Sequence, residues 1–196
     1  MNARSDFVQF RIEDGWLMPA RHCPSPNFGP RPSGIDGEIA LVVLHNISLP
    51  PGQYGGGYVQ RFFCNQLAAD EHPYFAEIAG LQVSSHLFVE RDGNVTQFVS
   101  FANRAWHAGR SRYCGRDNCN DFSIGIELEG TDSEAYTHEQ YEVLASLLPL
   151  LMAEYPALSA TRITGHEHIA PGRKTDPGNA FDWQRLFVSL KQHQNR

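Results

Sequence analysis

The segment EIALVVLHNI, residues 38–47, is a near-continuous apolar run that ends in a histidine, an asparagine and an isoleucine. Its β-branched residues and its lack of polar alternation predict a strand that is buried on both faces. His45 lies near the carboxyl end of this strand, and open α/β sheets place their functional sites at that edge. The segment therefore predicts the centre of a sheet and the position of a site.

Strand and helix patterns alternate on either side of this segment. A Pro- and Gly-rich coil (24–37) precedes it, and a loop (48–57) and a helix (58–67) follow it. After these the sequence predicts a hairpin over 83–101 that turns at Asp92–Gly93, a strand over 123–130, a helix over 137–155, a short strand over 161–164 and a helix over 182–193. These elements predict a single α/β domain with a mixed central β-sheet flanked by helices.

The helix predicted over 137–155 has the clearest pattern. Thr137 and Gln140 have the spacing of a capping box, and apolar residues recur on one face. Pro149 lies inside the helix and predicts a kink.

Composition excludes several classes of function. The chain has 196 residues and a formal net charge of -6 without a basic run, so nucleic-acid binding is not expected. No apolar stretch approaches the roughly 20 residues of a membrane span, and the N-terminus lacks the apolar core of a signal peptide. We expect a cytoplasmic monomer without a membrane partner. The four cysteines are too few for a disulfide framework and are expected to be free thiols.

A second segment, TGHEHIAPGRKTDPG at 164–178, concentrates titratable residues between glycines and prolines. His166 and Asp176 in this segment, together with His45, would form a His-His-carboxylate set, which suits a catalytic Zn²⁺ that keeps one position open. The chain has nine histidines, however, and a surface or hydrogen-bonded core histidine is the alternative interpretation.

Two acidic residues and one lysine could complete such a site. Glu127 and Glu129 lie on the face of strand 123–130 opposite its apolar residues, and a zinc hydrolase needs a carboxylate to move a proton. Geometry alone does not choose between them. Lys174 could stabilise an oxyanion, although a solvated loop lysine is the usual case.

Several motifs resemble one family when they are taken in order. They are VVLHNISLPPGQYGGG, HPYF, VSSHLFVERDG, RAWHAG, CNDFSIGIELEGTD, TGHEHIAPGRKTDPG and FDW. Together they resemble the AmpD-type 1,6-anhydro-N-acetylmuramyl-L-alanine amidases, a branch of the zinc amidase family that also contains amidase-type phage lysozymes and peptidoglycan recognition proteins. The resemblance runs from about Gly15 to Trp183, so residues 1–14 are expected to be an N-terminal extension and 15–196 the amidase domain.

The resemblance implies an enzyme that cleaves the amide bond between the lactyl group of N-acetylmuramic acid and L-alanine. The substrate would be a 1,6-anhydro muropeptide, and the role would be peptidoglycan recycling in the cytoplasm, with a consequence for β-lactamase induction. Zn²⁺ would be bound by His45, His166 and Asp176. Glu127 would be the acid/base, in preference to Glu129, and Lys174 would stabilise the transition state.

Four further residues could line the substrate groove. They are Asn46, Tyr74, Trp106 and His107, and core packing or a turn role is the alternative for each. Two positions depart from the family pattern, since Gln82 and Asn118 stand where an arginine is expected. A lytic amidase that acts on intact peptidoglycan and a peptidoglycan-binding module without activity are the alternative functions.

Overall fold

The strand predicted over 38–47 is present at Leu41–Ile47 and lies inside a six-stranded sheet. The protein is represented by a computed structural model, in which residues 9–194 are described. Its strands are β1 (Arg11–Glu13), β2 (Trp16–Met18), β3 (Arg21–His22), β4 (Phe28–Pro30), β5 (Leu41–Ile47), β6 (Leu87–Val89), β7 (Val95–Gln97), β8 (Asn103–Ala105), β9 (Arg112–Tyr113), β10 (Arg116–Asp117), β11 (Ser123–Glu129) and β12 (Ile163–Gly165). Its helices are α1 (Tyr58–Phe63), α2 (Pro73–Ile78), α3 (His138–Glu154), α4 (His166–Ile169) and α5 (Trp183–Gln194).

The central sheet has the strand order β12-β5-β11-β6-β7-β3. Strands β12, β5, β11 and β6 run parallel to one another, β7 pairs antiparallel with β6, and β3 pairs parallel with β7. The sheet is therefore mixed, as predicted. Because four adjacent strands run in the same direction, their carboxyl ends meet at one edge, and the residues at that edge can form one site.

Apolar residues cover both faces of the sheet. On one face, Ile124, Ile126 and Leu128 of β11 pack in one cluster with the apolar sides of α3 and α5. On the other face, Leu41 and Val43 of β5 pack with residues of the segment 108–122 and with α4. A third cluster contains the apolar residues of α1 and α2. The expected architecture of a mixed sheet flanked by helices in one domain is confirmed.

The structure also shows where the predicted elements differ in length. Helix α3 has the capping box between Thr137 and Gln140 and continues through Pro149, where a kink stays a prediction. Helix α1 ends at Phe63, four residues before the predicted end, and Asn65 just after it has a left-handed φ of 57°. In the hairpin predicted over 83–101, the paired strands are only the three-residue strands β6 and β7.

Some elements have no clear signal in the sequence. Helix α2 begins with Pro73 and is capped by the His72 side chain, which accepts a hydrogen bond from the backbone of Tyr74. The predicted coil over 24–37 contains β4, which pairs with β8, and a short 3-10 helix at Gly34–Gly37. The segment after β12 was expected to be a loop, and its first turn is helix α4.

The N-terminal boundary and the cysteines complete the comparison. Residues 1–8 of the predicted extension lie outside the described residues. The predicted boundary between residues 14 and 15 falls in the turn between β1 and β2, which pair with each other. The boundary itself stays a prediction.

All four cysteines are free, as expected. Among residues 9–194 no helix combines the length and the apolar character that crossing a membrane requires.

We expect Leu144→Ala in α3 to lower the free energy of unfolding by about 2–5 kcal/mol, because a fully buried leucine leaves a cavity when it is truncated. Val188→Ala in α5 is the matched control, since that valine is 47% exposed, and its effect should stay within about 0.5 kcal/mol. Urea unfolding of both variants measures the difference. Equal effects would contradict the placement of α3 over the core.

Candidate active site

Three side chains converge at the carboxyl edge of the sheet. The Nδ1 atoms of His45 and His166 are 3.0 Å apart, and each lies 3.0 Å from Oδ2 of Asp176. A point about 2.0–2.2 Å from all three atoms, which is the usual ligand distance for a metal such as zinc, lies just outside the plane of this triangle. The three residues that the sequence brought together as ligands could therefore hold one metal ion.

The fold fixes where each of these residues stands. His45 lies in β5, and His166 begins α4 directly after β12, which is the neighbour of β5. Asp176 ends the loop that follows α4, and its backbone carbonyl accepts a hydrogen bond of 3.0 Å from the amide of Glu167. This bond closes the loop, so the Asp176 carboxylate lies next to the two histidines.

The charges of the three groups suit a cation. Burial lowers the pKa of His45 to about 4, so its imidazole is neutral at physiological pH. Burial also raises the pKa of Asp176, but the contacts with His166 and His45 lower it further than burial raises it, and the net pKa is well below the ordinary value. Asp176 is therefore a carboxylate beside at least one neutral imidazole.

Glu127 stands beside this triad without a partner for one of its oxygens. It is the register partner of His45 on the adjacent strand, so both side chains lie on the same face of the sheet. Glu127 is 8% exposed, and its Oε2 atom is buried without a hydrogen bond. Burial and the charge of Asp176 raise its pKa well above the ordinary value, against the opposing effect of Lys174.

Glu129 has a different environment from Glu127. Its carboxylate accepts hydrogen bonds from the backbone amides of Gly55, at 2.6 Å, and Arg91, at 3.1 Å. It thus ties the glycine-rich loop after β5 to the hairpin. Of the two carboxylates that the sequence left open, Glu127 is the one that faces the triad.

An open groove of ≈ 720 Å³ surrounds the triad. Lys174 is exposed and lines this groove. The four residues predicted to contact a substrate, Asn46, Tyr74, Trp106 and His107, also line it. Their contact with a substrate stays a prediction.

Three of these lining residues contact other protein groups that limit their role. The Asn46 amide donates to Asp132 at 2.8 Å and to the Pro177 carbonyl at 3.1 Å. The His107 imidazole contacts His45, with 2.9 Å between His107 Nδ1 and His45 Nε2. Trp106 stacks under the guanidinium of Arg104, which leaves its ring as part of the wall of the groove.

Other histidines and the two departures from the family pattern lie elsewhere. His86 is fully buried and accepts a hydrogen bond from the backbone amide of Gly125. His168 is largely exposed. Gln82 and Asn118 are both exposed.

Further residues contact the two histidines of the triad or their neighbour His107, and the sequence did not indicate them. Ser123 contacts His107, and the Ala108 carbonyl contacts His166. Arg173 donates to the same carbonyl at 2.7 Å and to the Arg110 carbonyl at 2.8 Å. No short motif signals these contacts, because three of the four use backbone carbonyls, which any residue carries.

Comparison with known proteins places this geometry among amidases. Residues 36–179 match the family model for N-acetylmuramoyl-L-alanine amidase. The chain is 54% identical over 183 residues to the 1,6-anhydro-N-acetylmuramyl-L-alanine amidase AmpD of Salmonella typhimurium, which covers 92% of this chain and 96% of that protein.

Solved structures agree with this comparison. A crystal structure of a selenomethionine derivative of AmpD matches with a TM-score of 0.88 and 52% identity, covering 92% of this chain and 99% of that one. The amidase AmiD from E. coli, solved with the substrate anhydro-N-acetylmuramic acid-L-Ala-D-gamma-Glu-L-Lys, matches with a TM-score of 0.58 and 25% identity, covering 92% and 65% of the two chains.

We expect Asp176→Ala to lose metal binding, because only two histidines remain, without the anionic ligand. Metal content after dialysis, measured by atomic emission, checks this. Asp117→Ala is the control, since that side chain is 76% exposed and far along the chain from the triad. Equal metal content in the two variants would show that Asp176 is not a ligand.

The buried carboxyl of Glu127 should make stability depend on pH in the metal-free protein. The unfolded chain releases this proton as the pH rises past about 4.5, whereas the folded protein retains it to higher pH. The free energy of unfolding of the wild type should therefore fall, relative to Glu127→Gln, as the pH rises from about 4.5 to 7. Urea unfolding in the presence of a chelator measures both curves, and parallel curves would contradict the raised pKa.

Proposed function

The chain belongs to the N-acetylmuramoyl-L-alanine amidase family, and we propose that it hydrolyses the amide bond between the lactyl group of 1,6-anhydro-N-acetylmuramic acid and L-alanine in muropeptides. The observation that carries this proposal is the convergence of His45, His166 and Asp176 beside the unpartnered Glu127 in one groove. A hydrolase needs both a site for an electrophilic ion and a nearby group for proton transfer.

Zn²⁺ is the ion that this set of donors fits best. Two imidazole nitrogens and one carboxylate oxygen form the three-ligand set of catalytic zinc sites, which leaves one position open to the groove. His45, His166 and Asp176 would hold the ion. When bound, zinc supplies a Lewis acid that polarises a carbonyl and lowers the pKa of water toward about 7.

Glu127 would move the proton. A positive charge next to the carboxyl lowers its raised pKa toward the range in which the carboxylate accepts a proton. Glu127 then takes a proton from the water that adds to the lactyl carbonyl. As the C–N bond breaks, Glu127 returns this proton to the nitrogen of L-alanine, so the products are a lactyl carboxylate and a free amine.

Lys174 would stabilise the oxygen that becomes negative during this addition. It lines the groove with the triad and is close enough to Glu127 and His45 to shift the pKa of both. An ammonium group directed at a developing oxyanion lowers the barrier, since the interaction is stronger in the transition state than in the ground state.

The groove would bind the sugar and the stem peptide. Its walls combine the ring of Trp106 and the side chain of Tyr74 with the polar Asn46, which suits a substrate that carries both a sugar and a peptide. Its AmpD relative is named for the 1,6-anhydro substrate, and AmiD was solved with an anhydro-muropeptide. We therefore infer a role in muropeptide recycling, and we extend the proposal to a cytoplasmic monomer.

Peptide release followed by mass spectrometry tests the function. The substrates are an anhydro-muropeptide and intact murein, each with and without a zinc chelator. Chelator-sensitive release from the anhydro substrate alone is the expected result. Release from intact murein would instead indicate a lytic amidase, and binding without release from either would indicate a peptidoglycan-binding module.

We expect Lys174→Ala to lose about 100- to 1000-fold in kcat while it retains its zinc, because one oxyanion partner is removed and no ligand is changed. Lys191→Ala in α5 is the control and should keep the wild-type rate. Steady-state kinetics and metal analysis on the same samples provide both readouts. A Lys174→Ala enzyme with the wild-type kcat would remove Lys174 from the mechanism.

A further inference from the structure

The two ligand histidines each have a second nitrogen that faces away from the triad. Nε2 of His45 lies 2.9 Å from Nδ1 of His107, and Nε2 of His166 lies 3.1 Å from the carbonyl oxygen of Ala108. The partners of both imidazoles therefore belong to one dipeptide. A neutral imidazole carries one proton. If the outer nitrogen carries this proton and donates it to its partner, the other nitrogen has a free lone pair.

The direction of the bond to His166 is unambiguous. A carbonyl oxygen can only accept, so Nε2 of His166 carries a proton, and Nδ1 is the nitrogen that can present a lone pair to a bound zinc. The Ala108 carbonyl is itself held by Arg173, which donates to it at 2.7 Å. The acceptor is thus fixed in place.

The direction of the bond to His45 follows from a chain of contacts behind His107. The hydroxyl of Ser123 donates to the carbonyl of Cys119 at 2.6 Å, which uses its only proton. Ser123 Oγ must then accept from Nε2 of His107 at 3.0 Å, and Nδ1 of a neutral His107 is left as the acceptor for His45. No carboxylate contacts His107 among the described residues that would favour its charged form.

Two further features hold the dipeptide in position. The side-chain oxygen of Asn120 accepts from the backbone amides of His107, at 3.1 Å, and Ala108, at 2.8 Å. Gly125 of β11 provides room for the His107 ring, since a Cβ atom at that position would lie 2.5 Å from its Cγ. Both the backbone and the ring of His107 are therefore positioned by the fold.

We propose that His107 is a positioning residue that, together with the Ala108 carbonyl, sets both ligand histidines in the tautomer that directs the Nδ1 lone pair at the zinc. In the zinc-bound protein the three atoms of the triad, 3.0 Å apart, then hold no proton between them, and all three can direct a lone pair at the ion. This inference rests on the proposed zinc site but not on the proposed substrate. It gives His107 a role distinct from contact with the substrate.

A matched pair of variants tests the role through zinc affinity. His107→Leu removes the acceptor and should weaken zinc binding about 10- to 100-fold, the usual effect of losing the partner of a ligand histidine. His107→Asn places an oxygen the same number of bonds from Cβ as Nδ1, so it should restore binding to within about threefold of the wild type. Competition with a fluorescent chelator measures the dissociation constants, and thermal unfolding checks that each variant is folded.

Two more variants keep the test decisive. Ser123→Ala leaves His107 in place but removes the hydroxyl that accepts from His107 Nε2, so the zinc affinity of this variant should also fall. This variant provides the test if His107→Leu does not fold. His138→Ala removes an exposed histidine and should bind zinc as the wild type does. Wild-type affinity in folded His107→Leu, or in Ser123→Ala if the leucine variant does not fold, would overturn the proposal.

The tautomer itself can be observed in the zinc-loaded protein. Nitrogen-15 NMR of the imidazole rings should show His107 protonated at Nε2 and unprotonated at Nδ1, and the opposite tautomer would overturn the proposal. Neither readout requires turnover. An enzyme that shows both expected results but releases no peptide from a muropeptide would refute the proposed function and leave this inference standing.

Discussion

The parallel pairing of β5 and β11 is the interaction on which the site depends. It sets Glu127 directly opposite His45, so the proposed proton-transfer group and one proposed metal ligand are held by one set of backbone hydrogen bonds. A slip of one residue would turn Glu127 toward α3 and bring Ile126 or Leu128 to the triad. The apolar residues packed against α3 and α5 exclude that slip, because it would place a carboxylate in the core. The core thus determines the register, and the register determines the site.

Burial acts on the groups of this site in opposite directions. It keeps His45 neutral and raises the pKa of Glu127, while the contacts of Asp176 with two imidazoles keep that carboxylate ionised. The result is a buried negative charge beside a carboxyl group with an unpartnered oxygen. Such an arrangement destabilises the fold on its own. Buried polar groups without hydrogen-bond partners are, however, common at functional sites. A cation bound at the triad would offset this destabilisation, and it would lie where the proposed hydrolysis needs it.

Much of this arrangement could be predicted from the sequence, for reasons that differ between residues. The apolar run of β5, the alternation of β11 and the capping box of α3 are local patterns, and local patterns carry over into the structure. His45 and Glu127 could be placed because strand ends and strand faces follow from such patterns. The choice of Glu127 over Glu129 could not be made this way. It depends on Gly55 and Arg91, which reach Glu129 from distant segments.

The remaining differences have the same origin in contacts between distant segments. Helix α2 spans six residues and has no apolar periodicity long enough to recognise. The role of Gly125 is invisible in the sequence, because a glycine in a strand usually signals only a weak strand or a bulge. Here its missing side chain makes space for a ring that comes from a different segment. The family resemblance supplied roles for residues but not the contacts that hold them.

The position of the three proposed ligands in the sheet has a consequence for how a bound ion would leave. His45 lies on an interior strand, whereas His166 follows β12, a three-residue strand at the edge of the sheet, and Asp176 lies in the loop beyond it. Edge strands and loops open locally at a much smaller free energy than the whole domain. An ion bound by these residues would therefore link the edge of the sheet to its centre. Its residence time would report the fraying of one short strand rather than the global unfolding of the protein.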